Sequence, residues 1–285
     1  MQDRYAQIKA RILELAKADE GIKAIIAIGS STRSEVKADE YSDLDLIIAA
    51  EDTEKWLYGD IPEQLGDMKI SFVEPTLGGG KERRVLYKNA LDVDMIVFTP
   101  EQLIAAAKEG VAGWVCNRGY TVVHDTMGIG ELLSEYVRHE VNYSQLTESE
   151  YINLVNDFCF HVVWASKKIL RGELWTAKMC IDAYLKNHLL KMLEMYTVNK
   201  YASDVWHDGR FLDKWADESI KNSLPKCFAH YDREDMIAAL RETKSLFSQT
   251  AREVAEIKGY AYPDTAVSYA DEVFEEYFGG SVFLR

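Results

Sequence analysis

Two short apolar runs, IKAIIAI at 22–28 and LDLIIAA at 44–50, constrain this chain more than any other feature. The first lacks the polar alternation of a half-solvated strand and reads as a strand buried on both faces; the second reads as its companion. Further strands are expected at MKISFVEP (68–75), ended by Pro75, in the segment after the glycines of GGGKERRVLYKN (78–89), and at LDVDMIVF (91–98), stopped by Thr99-Pro100. Ahead of them, Tyr5, Ile8, Ile12, Leu15 and Ala16 recur at helical spacing, so a helix covers most of 3–18 and Gly21 breaks it. TPEQ supplies an N-cap and a first-turn proline for a helix from Glu101 to about Lys108. One helix, then five or so strands with little helix between them, is the pattern of an α+β unit.

After Thr147 the texture changes. A capping box, Thr147 with Glu150, opens a long amphipathic run that closes on Gly172. Helical runs also cover 173–196, 203–216, 232–259 and 265–278, and the whole chain holds only five prolines. A domain boundary is therefore expected near 140–148, dividing a sheet-containing domain, residues 1–145, from a helical bundle, residues 146–285.

The formal net charge of −14 disfavours nonspecific contact with nucleic acid, whose phosphates want a basic surface. It suits a metal ion or a cationic small molecule, and equally plain solubility. The four cysteines, Cys116, Cys159, Cys180 and Cys227, are far apart and form no CxxC pair, which argues against a zinc site or disulfide framework and for a reducing compartment. No run approaches a membrane span and the charged N-terminus lacks the apolar core of a signal peptide, so a cytoplasmic location is expected.

Residues i and i+2 of a strand point the same way, so Asp43 and Asp45 present two carboxylates side by side. Such a pair costs free energy unless something positive sits between the anions. Mg2+ answers that need, because it takes oxygen ligands, usually one or two carboxylates plus substrate phosphates. Asp92 and Asp94 repeat the pattern ahead of a second apolar run. If the two strands are neighbours, three or four carboxylates converge, as in two-metal sites of phosphoryl or nucleotidyl transfer. Solvent-facing pairs of this kind also occur on edge strands, and the upstream context is what separates the readings. Gly29 and Ser30 directly follow a buried strand, making a corner of backbone N–H groups and a hydroxyl that can cradle phosphate oxygens. Arg33 adds positive charge, and Ser42 is grouped with these as a nucleotide-binding residue.

Other candidates are weaker. Lys81, Arg83 and Arg84 after the glycine cluster reach for phosphates or merely flank a hairpin turn, and the spacing is not that of a P-loop. The six histidines show no metal-ligand spacing, and His161 and His188 read as core or surface residues. Lys167 and Lys168 read as a solvated helix face, and Trp164, Trp175, Trp206 and Trp215 as packing for the bundle or one of them as a stacking surface. No Ser/His/Asp or Cys/His nucleophile set is evident.

The Gly29-Ser30 pair, the twelve-residue spacer, Asp43-x-Asp45 and the later acid resemble the polymerase-β-like nucleotidyltransferase superfamily. Within it the chain is most similar to the aminoglycoside 6-adenylyltransferase (streptomycin adenylyltransferase) family. The spacer length, the third-acid strand followed by a proline and a helix, and the segment KKILRGELWTA (167–177) all fit. The likeness covers nearly the whole chain, strongly over 20–105 and weakly after 147. It implies an N-terminal nucleotidyltransferase domain with a mixed sheet flanked by helices and a C-terminal helical domain that binds the acceptor. Asp43 and Asp45 would bind Mg2+ carrying the ATP triphosphate, and Ser30 with the Gly29 backbone would hold a β- or γ-phosphate. Asp94, with Asp92 as its rival, would be the third carboxylate, binding metal or taking the acceptor's proton. The implied reaction moves AMP from ATP to a hydroxyl of a small, cationic acceptor, such as the aminoglycoside streptomycin, and releases pyrophosphate.

The chain departs from that family in two places. Ser31 stands where an arginine directly follows the Gly-Ser pair, and the nearest arginine is Arg33. An Asn-Glu-Phe-Trp stretch of the first long C-terminal helix aligns with Asp157, Phe158, Cys159 and Phe160, so Phe158 replaces the glutamate. Two alternatives are weighed beside small-molecule transfer. One is a protein or RNA acceptor, where the net charge speaks against RNA. The other is nucleotide binding without turnover, against which the intact acids Asp43, Asp45 and Asp94 speak.

Overall fold

The computed structural model describes residues 3–33, 36–76, 79–137 and 145–279. Gly78 of the glycine cluster, His139 and part of the expected boundary near 140–148 lie outside them. The chain divides into two compact units, Met1–Asn142 and Tyr143–Arg285.

The first unit opens with α1 (Ala6–Ala18), whose Ile8, Ile12 and Ala16 form the buried stripe. Six strands follow: β1 (Ile22–Ile28), β2 (Leu44–Ala50), β3 (Met68–Pro75), β4 (Lys81–Tyr87), β5 (Leu91–Phe98) and β6 (Thr121–Asp125). They form one mixed sheet in the order β3-β4-β5-β2-β1-β6. β2 and β5 run parallel; the other neighbours are antiparallel. Short helices α2 (Thr53–Leu57) and α3 (Ile61–Leu65) lie between β2 and β3, and α4 (Pro100–Lys108), α5 (Val111–Cys116) and α6 (Ile129–Tyr136) come after β5.

Alternate residues of β1 divide between two cores, as a strand covered on both sides requires. Ile25 and Ala27 join Leu44, Leu46 and Ile48 against α1, α2 and α3. Ala24, Ile26 and Ile28 join Ile47 and Ala49 against α4 and α6. The same alternation turns Asp45 and Asp94 toward the second face, because Leu44, Leu46, Val93 and Met95 all belong to the first core. The α+β reading holds. What the sequence reading omits is β6, an edge strand paired to β1, together with α2, α3, α5 and α6.

The second unit is helical: α7 (Glu148–Leu170), α8 (Leu174–Met179), α9 (Leu185–Tyr201), α10 (Leu212–Trp215), α11 (Glu218–Ser223), α12 (Arg233–Lys258) and α13 (Asp264–Phe278). The capping box at Thr147 and Glu150 is present, and α7 buries Tyr151, Val155, Phe158, Val162, Ala165 and Ile169 at three- and four-residue steps. Two expected helices are corrected. The run 173–196 is interrupted by a π-helical turn at Cys180–Tyr184 between α8 and α9. The run 203–216 is broken where Asp208 and Phe211 take positive φ, leaving a 3-10 turn and the one-turn α10.

Candidate active site

The site is assembled from the ends of three strands. Ile28 at the end of β1 pairs with Asp45, and Asp45 on β2 lies directly opposite Asp94 on β5. A ligand oxygen from each of Asp43, Asp45 and Asp94 falls within 4.8 Å of the others. Among the described residues this is the one group of three or more acids, histidines or cysteines able to share an ion. Asp92 is exposed and outside that group, so of the two rivals the fold brings Asp94 to the pair.

Local chemistry positions each member. Tyr5, ahead of α1, donates through its hydroxyl to the Ser42 carbonyl at 2.8 Å and accepts from the Asp92 backbone N–H at 3.3 Å. It thereby ties the loop before Asp43 to the start of β5, a role that no motif in the sequence announces. Gly29 takes φ +72°, and a Cβ there would fall 1.9 Å from the Asp45 carboxylate, so only glycine fits. In the 3-10 turn Gly29–Ser31, the Ser31 hydroxyl donates to the Ile28 carbonyl at 3.2 Å. Thr32 donates to the carbonyls of Gly29 and Gly119 at 3.0 and 2.9 Å. The Ser30 hydroxyl is buried and has no hydrogen-bond partner among the described residues.

The electrostatics single out Asp94. It is 5% exposed, and burial pushes its carboxyl up to about 7 against the opposing pull of Arg84. Arg84 Nη2 lies 3.2 Å from Asp94 Oδ2, while Oδ1 is buried with no partner among the described residues. Buried polar atoms are ordinarily satisfied. Two of the four such atoms among the described residues, one carboxylate oxygen and one hydroxyl at the glycine turn, lie here, where a cation and an anionic ligand would satisfy them. The donor set of hard oxygens fits a Mg2+-like ion. Asp92, though exposed overall, is raised as well by partial desolvation, with the nearby Asp43 charge adding to it.

Arg33 is half-buried and engaged by a neighbour. The Ser42 hydroxyl is used within its own loop, donating to Asp39 Oδ1 at 3.1 Å and accepting from the Asp39 N–H at 2.9 Å. Arg83 is buried and donates to the carbonyls of Trp56 and Gly59. Lys81 meets Tyr58. In the helical unit, Phe158 is fully buried and stacks on Phe247 with ring centroids 3.6 Å apart, so it is core. The neighbouring Asp157 gathers His161, His188 and Tyr184, at 2.6, 3.0 and 3.0 Å. The spacing of the two histidines does not announce this cluster, because it depends on the phase of α9 after the π turn. Burial works against ionisation of Asp157, but the bonds from His188 and Tyr184 outweigh it and hold the carboxyl low. Trp206 and Trp215 are buried, Trp175 is exposed, and Lys168 pairs with Glu173 above the Trp164 ring.

A glycine-serine turn at the end of one strand and converging aspartates on the next two are the arrangement of a nucleotidyltransferase. The profile of the family described as streptomycin adenylyltransferase matches residues 3–276. The chain belongs to that family, and so is an enzyme of the adenylyltransferase class. An aminoglycoside 6-adenylyltransferase of Staphylococcus aureus is 21% identical over 273 residues, covering 89% of this chain and 91% of that protein. Among solved structures, an aminoglycoside 6-adenyltransferase from Bacillus subtilis is 16% identical with a TM-score of 0.45, covering 96% of this chain and 99% of that one. A nucleotidyltransferase-like protein from Exiguobacterium sibiricum is 11% identical with a TM-score of 0.40, covering 89% and 78%. Among the described residues no helix is long and apolar enough to cross a membrane.

Proposed function

We propose that this enzyme is a Mg2+-dependent adenylyltransferase that moves AMP from ATP to a hydroxyl of a small cationic acceptor, with an aminoglycoside such as streptomycin as the acceptor to test first. The observation that carries this reading is the convergence of Asp43, Asp45 and Asp94 beside two buried, unpartnered oxygens, Asp94 Oδ1 and Ser30 Oγ. Asp43, Asp45 and Asp94 would hold the ion. When bound, it would neutralise triphosphate charge and the charge that develops at the transferred phosphorus.

The chain's own groups do the rest. The Ser30 hydroxyl and the Gly29 backbone hold a terminal phosphate, and Arg33 adds positive charge near that corner, while Ser42, whose hydroxyl is bonded to Asp39, serves to hold the loop before Asp43. The acceptor oxygen bonds to the α-phosphorus as the bond from that phosphorus to the bridging oxygen breaks, and pyrophosphate leaves. The acceptor proton passes to a carboxylate, and Asp94 is the group placed to take it where it does not itself bind the ion. The protein's net charge of −14 agrees with a cationic acceptor.

The test is incubation with ATP, Mg2+ and a panel of aminoglycosides, followed by mass spectrometry of the acceptors. AMP on streptomycin supports the reading in full. Pyrophosphate release with none of the panel modified would refute the aminoglycoside acceptor and retain the transferase. ATP binding with no pyrophosphate release over any acceptor would refute transfer.

A further inference from the structure

Arg84, partly exposed, is engaged by three carboxylates of its own sheet. Three strands lie abreast at the site: Arg84 on β4 pairs with Asp94 on β5, which pairs with Asp45 on β2. Alternation along the strands puts Glu74, Glu82, Arg84, Asp94 and Asp45 on one face, with Glu74 opposite Glu82 on β3 and β4. The guanidinium is held from three sides. Its Nε lies 3.0 Å from an oxygen of Glu74 and 3.0 Å from one of Glu82, and its Nη2 lies 3.2 Å from Asp94 Oδ2. Glu82 is only 8% exposed, so Arg84 is the cation that compensates its buried charge.

A planar guanidinium fixed at Nε cannot turn freely, so the direction of Nη2 is set by the far pair of glutamates. That direction engages Oδ2 of Asp94 and leaves Oδ1 buried without a partner among the described residues, on a carboxylate that belongs to the acidic group. We propose that Arg84 is a positioning residue that keeps Asp94 a one-oxygen ligand, and so biases the site toward a small six-coordinate cation such as Mg2+ over a larger one such as Ca2+. The inference rests on the reading of Asp94 as an ion ligand given above.

The physical reason is coordination geometry. Ca2+ accepts about six to eight oxygens and readily takes both oxygens of one carboxylate, whereas Mg2+ demands near-octahedral geometry at about 2.0–2.1 Å. An Asp94 released from Arg84 could rotate and offer both oxygens. Partners one shell out from a metal typically change affinity or activity by about 10–100-fold when removed.

The test is calorimetric titration of the full chain with Mg2+ and with Ca2+, separately, for wild type, Arg84→Gln, Arg84→Lys and Glu82→Gln. Steady-state kinetics with ATP accompany it. The Gln variant should shift the Mg2+-to-Ca2+ affinity ratio toward Ca2+ by about tenfold or more. Its kcat should fall while its KM for ATP stays nearly unchanged. The Lys variant, which keeps the charge and loses the planar fork, should shift in the same direction, and Glu82→Gln should do so more weakly. A folded Gln variant with the wild-type ratio overturns the proposal. So does a Lys variant that behaves as wild type, since charge alone would then suffice. Should circular dichroism show the Gln variant unfolded, the Lys and Glu82 variants carry the comparison. Asp94→Asn separates the two levels: wild-type ion binding in that variant refutes Asp94 as a ligand, whereas lost binding there with an unchanged ratio in the Arg84 variants refutes the positioning role alone.

Discussion

A Cβ on Gly29 would fall 1.9 Å from Oδ2 of Asp45, so the glycine turn and the strand that carries Asp45 are fitted to each other atom against atom. The glycine's φ of +72° adds a second reason that no other residue belongs there.

Gly29→Ala therefore strains the turn and displaces Asp45 together. The expected cost is about 1–3 kcal/mol of stability and at least about a 100-fold loss of kcat, since a misplacement of about 1 Å suffices for that. Thermal melting and a pyrophosphate-release assay measure the two effects. Wild-type turnover in the alanine variant would mean that Asp45 has room to spare.

Asp94 makes the metal-free protein sensitive to pH. Its carboxyl rises from the ordinary 3.8 to about 7 because it is buried, despite Arg84. Between those values the native state keeps a proton that the unfolded state has released. Stability of the metal-free protein should thus fall as pH rises from about 4 to about 7 and level off above. Glu194, also pushed up to about 7 by burial, contributes in the same direction. Asp94→Asn should make the slope shallower without removing it. Mg2+ affinity should rise over the same interval, because the ion competes with that proton. Urea unfolding at a series of pH values, with and without Mg2+, decides this, and an identical slope in the Asn variant would contradict it.

Asp43→Asn and Asp45→Asn should leave the metal-free protein unchanged or more stable by up to about 1 kcal/mol, the scale of like-charge relief between neighbouring strand residues. Saturating Mg2+ with ATP should raise the melting temperature of wild type and not of these variants. A Mg2+-dependent rise of wild-type size in either variant would remove that residue from the ion site.

Phe158→Ala should destabilise the helical unit by about 3–5 kcal/mol, as emptying a fully buried aromatic site does. Asp157→Asn should weaken the tie between α7 and α9 without that loss, since Asp157 and its partners His161 and His188 are only partly buried and its partner Tyr184 is exposed. Denaturant unfolding of both variants separates a packing role from a polar one. An alanine at 158 that costs less than about 1 kcal/mol would contradict the core assignment.

The parts of this fold that local pattern dictates were legible. Ile22–Ile28 and Leu44–Ala50 declare buried strands by their continuous apolar character, and Asp43-x-Asp45 declares a shared face by the two-residue period. The Thr99 and Thr147 caps were readable because a capping box is a short-range device. What escaped depends on distant partners. β6 has only five residues of intermediate or full exposure, and β1 recruits it from far along the chain. The Arg84–Asp94 contact depends on the β4–β5 register, set by a turn in which Asn89 and Ala90 take positive φ, which alanine does not announce. The meeting of His161 and His188 at Asp157 depends on the π turn at Cys180–Tyr184, which changes the phase of an otherwise even helical pattern.

The most direct test of the ion site is the rate of pyrophosphate release from ATP, in the presence of streptomycin, by wild type and by Asp45→Asn, each with Mg2+ and with EDTA. Release is expected from wild type with Mg2+ alone, and none above background in the other three conditions. Release by the folded Asn variant at the wild-type rate, or release that EDTA does not suppress, would contradict an ion held by the strand aspartates.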